Sequence, residues 1–478
     1  MVKGQRRCTN GIAAFPDDLL IEVFSRVGNV KDLFRFAVTC RRWLRRFTDP
    51  AFLRQLCPGQ GEGHRARLLG FFFQQTRFEL PRGRTNRTLT MRMRMAQHTS
   101  VSAPSFLPAP GSPLGGTPTP TDHHRADLTS FVADDDGTFN YAEPLAARRG
   151  IVLMRLVPRT LDGLERMAIT RARATSHLLG LCNPITGERH VLPPLESPGD
   201  LGRCDSYAIV TAADSDLDGE PQQTAGRRFE FSQLLLITVT TTETKSDAYL
   251  HSYSADTRSW STPTMCLDGY RRFSMAGERS AVVHQGAAHW LCIDRPFPPR
   301  EGDECLLYKL SAGVGATAAT SPPHASLAKT PIRGAGSPHL FVSTDGKLSV
   351  ACVYFLHVAV WTQQQGGNES GGGGDTPATW LRTAVMRIPM AGPNPGPLCE
   401  PCGSCTWLDF NGGSMLVLPP SGGVFVLDIE KKVVEKVMDC LLPQKFSSER
   451  NPLWDGTCVA YEMDLVEFFV RQLGGLYR

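Results

Sequence analysis

No stretch of this chain reaches the eighteen or so consecutive apolar residues that a membrane-spanning helix needs, so none is expected. The opening MVKGQRRCTNGIAAF carries charge but no long apolar centre, which predicts no secretory signal. The 14 cysteines lack the regular spacing of a disulfide framework and predict reduced thiols, in the cytoplasm and/or nucleus. Also missing are a Gly-rich phosphate cradle, a Gly-x-Ser-x-Gly elbow and a His-Glu-x-x-His helix. Those absences remove the local signatures of nucleotide, hydrolase and metalloprotease sites. A triad whose members meet only in the fold leaves no such signature.

What the chain has instead is turn formers and core material. Its 45 Gly and 35 Pro favour many turns, while 41% hydrophobic and 21% charged residues predict a globular protein. Its 478 residues have room for two to four domains, unless one large β domain absorbs most of them. The net charge is only +4 but is uneven. Residues 1–98 hold 19 Lys and Arg against 7 Asp and Glu, an excess of 12, so the remaining 380 carry a deficit of 8. A basic N-terminal stretch suits an acidic protein partner or nucleic acid, and solvated arginines are the plainer reading.

Residues 15–56 read as a compact run of short helices. Pro16 suits a helix start, and Asp17, Asp18 and Glu22 lie near its positive end. Phe15, Leu19, Leu20, Val23, Phe24 and Val27 form an apolar stripe two columns wide. Gly28-Asn29 breaks that helix, and a second places Leu33, Phe36, Ala37 and Cys40 on one face. Thr39 is the expected cap of a third helix that holds Trp43, Leu44 and Phe47 among Arg41, Arg42, Arg45 and Arg46. Asp49-Pro50 ends it and starts a fourth turn with Phe52, Leu53 and Leu56. So much apolar surface exceeds what about forty residues cover internally. It needs either the rest of this chain or another protein.

The stretch resembles an F-box, the helical module that docks substrate receptors onto the Skp-family adaptor of cullin–RING ubiquitin ligases. The matching marks are FPDDLLIEVFSRV, VKDLFRF and AVTCRRWLRRFTDPAF, in that order over about forty residues. Phe15 stands where the family has Leu, and Thr39 separates Val38 from Cys40. Carried over by motif, the resemblance implies adaptor binding through Pro16, Leu19, Leu20, Val23, Phe24, Leu33, Val38, Cys40 and Trp43. Some of these must also serve the module's own core, and the pattern does not separate the two roles.

Beyond the module the chain reads as strands and turns. LLGFFF (68–73) is a buried-strand run, and TLTMRMRM (88–95) alternates Leu89, Met91, Met93 and Met95 with Thr90, Arg92 and Arg94. A unit of strand, Asp or Asn turn and closing strand recurs near 182, 254, 308, 359 and 428. Each unit exposes a sheet face that needs a neighbour, so radial stacking into a β-propeller of about six blades is expected, with two packed sandwiches as the rival. Pro-, Gly- and Ser-rich stretches near 99–122, 311–326 and 363–375 read as flexible inserts. The cues LLGLCNPITGERHVLPP, HSYSADTRSWS, VVHQGAAHWL and FVLDIEKKVVEKV resemble the F-box-associated β-propeller domains common in plant F-box proteins. The expected layout is a helical module over 10–57 and a propeller-like domain over 65–478.

Three clusters invite chemistry and none completes a site. Cys399, Cys402 and Cys405 have Cys-x-x-Cys spacing, but a structural zinc site needs a fourth ligand and only the distant Cys440 offers one. His123 and His124 are adjacent and point apart. Asp134, Asp135 and Asp136 lack the spacing of a calcium loop. No metal, cofactor or catalytic residue is therefore expected. The combined reading is a non-catalytic substrate-recognition subunit, the helical module on its adaptor and the β domain on an unknown target protein, with neither membrane nor nucleic acid as partner. A propeller-based enzyme and an interaction scaffold outside any ligase remain open alternatives.

Overall fold

The computed structural model of the 478-residue chain describes residues 15–27, 30–57, 68–74, 76–78, 99–101, 104–108, 138–139, 142–156, 176–196, 203–211, 214, 231–241, 246–267, 272–276, 281–295, 306–314, 325–333, 337–343, 345–353, 357–364, 379–387, 406–410, 414–418, 424–429, 431–438 and 457–474. Four short helices come first: α1 (Asp17–Ser25), α2 (Val30–Ala37), α3 (Arg41–Phe47) and α4 (Pro50–Leu56). Asp17 and Asp18 occupy the first turn of α1, with Pro16 just ahead of it. The cap of α3 is Cys40, not Thr39: its sulfur accepts from the Trp43 N–H at 3.4 Å, while the Thr39 hydroxyl turns back to the carbonyl of Phe36. Asp49 caps α4 through the Ala51 N–H at 2.9 Å, with Pro50 in the first turn.

Among the described residues six antiparallel sheets of three or more strands follow, beside two short two-stranded pairs, Thr76–Phe78 with Thr99–Val101 and Ser176–His177 with Leu195–Glu196. Blade 1 holds Glu143–Arg148, Ile151–Arg155, Leu179–Cys182 and Arg189–Val191. Blade 2 runs Arg203–Thr211, Phe231–Thr241, Ser246–Ser254 and Ser259–Trp260, with Thr264–Leu267 also on its third strand. Blade 3 runs Arg272–Ala276, Ala287–Arg295, Leu306–Gly313 and Ala325–Arg333, and Val282–His284 also pairs its second strand. Blade 4 is Ser337–Val342, Leu348–Val353, His357–Gln363 and Trp380–Arg387, and blade 5 is Thr406–Phe410, Ser414–Leu418, Val424–Asp428 and Val433–Met438. Blade 6 joins both ends of the chain: Thr457–Glu462 pairs with Leu68–Gln74, which pairs with Ser105–Pro108.

Consecutive blades touch all the way round, and Thr457–Glu462 of blade 6 closes on Glu143–Arg148 of blade 1. The described residues thus form a β-propeller of six blades, and the ring removes the two-sandwich alternative. Each blade is an open sheet, and closure comes from packing between blades and from the shared sixth blade. The closing contact is tight. Arg149 and Gly150 form a hairpin turn with φ of 47° and 80°. The Gly150 N–H donates to the Glu462 carbonyl at 3.3 Å, and Tyr461 Oη donates to the Gly150 carbonyl at 3.2 Å. A β-carbon on Gly150 would sit 2.6 Å from Met463 Sδ, so both φ and space call for glycine there.

Three further findings depart from the sequence reading. Ser105–Pro108 lies within the expected insert at 99–122 yet is a strand, because Phe106 is buried between Phe72 (4.8 Å) and Tyr461 (6.0 Å). Strand pairing also reaches into the insert at 311–326, through Gly313 from one side and from Ala325 on the other, and Gln363 still pairs with Trp380. The last described element is a helix, α5 (Leu465–Gly474), which the strand-and-turn reading omitted. Its core stripe is Leu465, Phe468, Phe469 and Leu473, and Asp464 accepts from the Glu467 N–H at 2.9 Å at its start. The alternating stretch at 88–95 lies outside the described residues.

Candidate functional site

The helical module shares one hydrophobic core with α5, blade 6 and a face of blade 1. Leu20, Phe24, Leu33 and Phe47 are buried in it with Phe72, Tyr461 and Phe469. α5 lies against α3 and α4. Its Phe469 meets Phe47 at 5.3 Å and Phe34 at 6.3 Å, and Phe468 meets Phe34 at 5.9 Å. One face of the module is therefore covered by the chain's own far end.

The other face is bare. Val23 is 57% exposed, Leu19 and Val38 48%, Phe15 43% and Phe36 38%. Pro16 is exposed beside them. Beneath them Trp43 is half-buried, edge-on to Phe24 at 5.4 Å and to Phe36 at 6.1 Å. Among the residues that the F-box resemblance implicates, the structure thus brings Pro16, Leu19, Val23 and Val38 to the surface and places Leu20, Phe24 and Leu33 inside. Cys40 and Trp43 lie at the boundary, joined by the α3 cap. Phe15 and Phe36 are neighbours that the motif match left out; their aromatic size at stripe positions was the available signal.

Charge frames this patch. Arg42 donates to the Phe15 carbonyl at 2.5 Å, and Arg46 pairs with Asp17 at 2.5 Å. Two of the four arginines therefore tie the start of α1 to α3. These half-exposed pairs contribute at most about 1 kcal/mol each. Arg41 and Arg45 are exposed on the same helix.

A second polar constellation joins blades 1 and 2. Arg148 makes two bonds to Asp214, at 2.5 and 2.7 Å, and donates to the Ile209 carbonyl at 3.1 Å; Arg149 lies 3.8 Å from the same carboxylate. Burial alone would raise the Asp214 carboxyl, but Arg148, Arg149 and the Thr211 N–H outweigh it and hold it below the usual carboxylate range. This is a fully paired structural cluster, not an acid or base poised for catalysis. Burial lifts the Cys57 thiol to about 11 and the Cys182 and Cys352 thiols to about 12, so all three stay protonated at neutral pH. No group of three or more His, Cys, Asp or Glu fit to hold a metal occurs among the described residues. Cys399, Cys402, Cys405, Cys440, His123, His124 and Asp134 to Asp136 lie outside those residues. No helix among the described residues is long and apolar enough to cross a membrane.

Residues 12–58 match the F-box-like family model, and residues 117–398, more than half of the chain, match the one described as "Domain of unknown function (DUF7595)". No curated protein matches the chain. Among solved structures it is similar to acylaminoacyl peptidase of Pyrococcus horikoshii, at 9% identity and a TM-score of 0.30 over 63% of this chain and 39% of that one. The β-propeller domain of the Trilobed protease from Pyrococcus furiosus aligns at 9% identity and a TM-score of 0.29 over 63% of this chain and 71% of that one. The WD40 domain of SCAP from fission yeast aligns at 12% identity and a TM-score of 0.27 over 63% and 55% respectively. The chain thus spans well under half of the peptidase. These likenesses are distant, and the propeller assignment rests on the strand order and blade contacts.

Proposed function

We propose, from the premise that this chain belongs to the DUF7595 family and carries an F-box-like domain at its N-terminus, that it is a substrate-recognition subunit of a Skp–cullin–F-box ubiquitin ligase. The observation that carries this reading is the bare apolar face of the module. Burying a Val, Leu or Phe side chain stabilises a complex by about 1.5–3 kcal/mol, and five such side chains lie uncovered on a surface that matches a known docking module. In this reading Pro16, Leu19, Val23 and Val38, with Phe15 and Phe36, meet the Skp-family adaptor. Leu20, Phe24 and Leu33 hold them in place from behind, and Cys40 and Trp43 set the pitch of α3.

The chain then performs no bond chemistry of its own. Its propeller binds a target protein, and the assembly raises the effective concentration of the target's lysines near the charged conjugating enzyme. Blade 1 shares a core with the module, so the target-binding surface is held at a fixed offset from the adaptor. Exposed Arg41 and Arg45 add long-range attraction to an acidic adaptor, an effect that salt weakens.

The test is co-purification of the full chain at low salt. Recovery of both a Skp-family adaptor and a cullin is the expected result. Recovery of the adaptor without a cullin would favour a scaffold outside the ligase, and recovery of neither would refute the reading.

A further inference from the structure

The seam between blades 3 and 4 changes character along its length. Its middle is apolar, with Leu291, Ile293 and Leu307 facing Leu340, Val350 and Trp361. Towards Gln363 the same faces turn polar. Strand register sets His289 opposite Ser311 and Leu291 opposite Lys309, so Lys309, Ser311 and His289 share the face turned to blade 4. Val282 lies opposite His289, and His284, two residues on, joins that face. Lys309 Nζ donates to Gln363 Oε1 across the seam at 3.1 Å, and His289 Nδ1 lies 2.9 Å from Ser311 Oγ. On the blade 4 side Arg382 sits over the Trp361 ring, 5.6 Å from its centre.

Three basic residues, Lys309, His284 and His289, thus share one end of one seam, and Arg382 stands on the facing blade over Trp361, two residues from Gln363. Among the described residues no carboxylate acts on Lys309, His284 or His289. Asp345, in the blade 4 turn, is engaged by Lys347 at 2.8 Å and by Ser343. Burial, and after it the charge of Lys309, lowers both histidines, His289 to about 4. Both rings are therefore neutral near pH 7 and act as hydrogen-bonding groups, which leaves Lys309 as the buried-side charge. Burial alone lowers Lys309 as well. An ammonium drawn partly out of water costs free energy unless a counter-charge meets it, and its partner across the seam is a neutral amide. A carboxylate or phosphate group would supply that charge, with Ser311 and His284 as hydrogen-bonding neighbours and Arg382 at the rim.

We propose that this seam is an anion-recognition site that seats a carboxylate or phosphate side chain of a target polypeptide on Lys309. That the ligand is a polypeptide rests on the receptor reading above; the anion preference rests on the seam alone.

The test is fluorescence anisotropy of the full chain with three labelled decapeptides, one rich in glutamate, one carrying phosphoserine and one rich in lysine. At least one anionic peptide is expected to bind and the lysine peptide is not; the tighter anionic peptide names the source of the charge. Lys309→Gln should weaken binding about tenfold or more, and Lys309→Arg should retain most of it. Arg382→Gln, on the exposed rim, should weaken it about threefold and serves as the test if Lys309→Gln fails to fold. The site is overturned if neither anionic peptide binds, if the lysine peptide binds equally, or if folded Lys309→Gln (Arg382→Gln if it does not fold) binds like wild type. Peptide binding needs no adaptor and adaptor capture needs no peptide, so failure of the site and failure of the receptor reading are separate outcomes.

Discussion

The two faces of the helical module carry similar side chains and meet different fates. Phe34 and Phe47 lie under Phe468 and Phe469 of α5, a cover delivered from the opposite end of the chain. Phe15, Leu19, Val23, Phe36 and Val38 have no such cover. The chain can evidently bring apolar surface from far away in sequence to close one face, so the bare face is not a shortage of material. In the proposed function a second polypeptide completes it. The covered face is then a matter of stability and the bare face a matter of binding, and substitutions on the two should fail in different assays.

The largest stability effect of a single substitution is expected on the covered side. Phe469 is fully buried, and Phe469→Ala should cost about 3–5 kcal/mol in urea denaturation, through lost transfer free energy and the cavity left behind. A loss under about 1 kcal/mol would mean that α5 merely lies alongside the module.

Acid should act on the ring and spare the module. His251, His289 and His339, in blades 2, 3 and 4, are all pushed by burial down to about 4 from an ordinary 6.5. The unfolded chain therefore takes up their protons first. Stability should be fully present above about pH 6.5 and decline as pH falls from there towards 4, by up to about 3 kcal/mol for each histidine. The module and α5 contain no histidine. Melting curves at pH 7 and pH 5 should show the loss in β-sheet signal; a melting temperature unchanged between them would contradict the buried, neutral histidines.

Gly150→Ala should cost about 2 kcal/mol, from its left-handed φ and the encounter with Met463 where the ring closes. Thermal unfolding measures it, and a neutral result would show that the closing turn relaxes freely. The smallest stability effect belongs to the bare face: Leu19→Asp with Val23→Asp should change unfolding free energy by no more than about 0.5 kcal/mol, since both side chains already face water.

Much of this comparison could be read from local pattern, and the rest depended on distant closure. The recurring unit near 182, 254, 308, 359 and 428 falls in the third strand of blades 1 to 5, because strand alternation and turn chemistry are local. Blade 6 had no such unit, since its strands come from both ends of the chain. The apolar spacing of Leu465, Phe468, Phe469 and Leu473 was present in the sequence, but what it covers follows only from Tyr461 and its neighbours pairing beside Leu68–Gln74. For the same reason a stripe two columns wide in α1 did not tell which column was bare. Leu20 and Phe24 are buried in the core that α5 helps to build, and Leu19 and Val23 are not. Lys309 sits in the ordinary-looking strand LLYKLSAG and gains its setting only when blade 4 arrives.

The central claim is that the bare face is an adaptor surface, and the most direct test is the affinity of the full chain for a purified Skp-family adaptor. Leu19→Asp with Val23→Asp should lower it by about a hundredfold or more, by placing two carboxylates in an apolar contact. Val433→Asp, an equally exposed apolar residue on the outer strand of blade 5, should leave it unchanged. Equal affinity for all three chains, each folded, would contradict the claim.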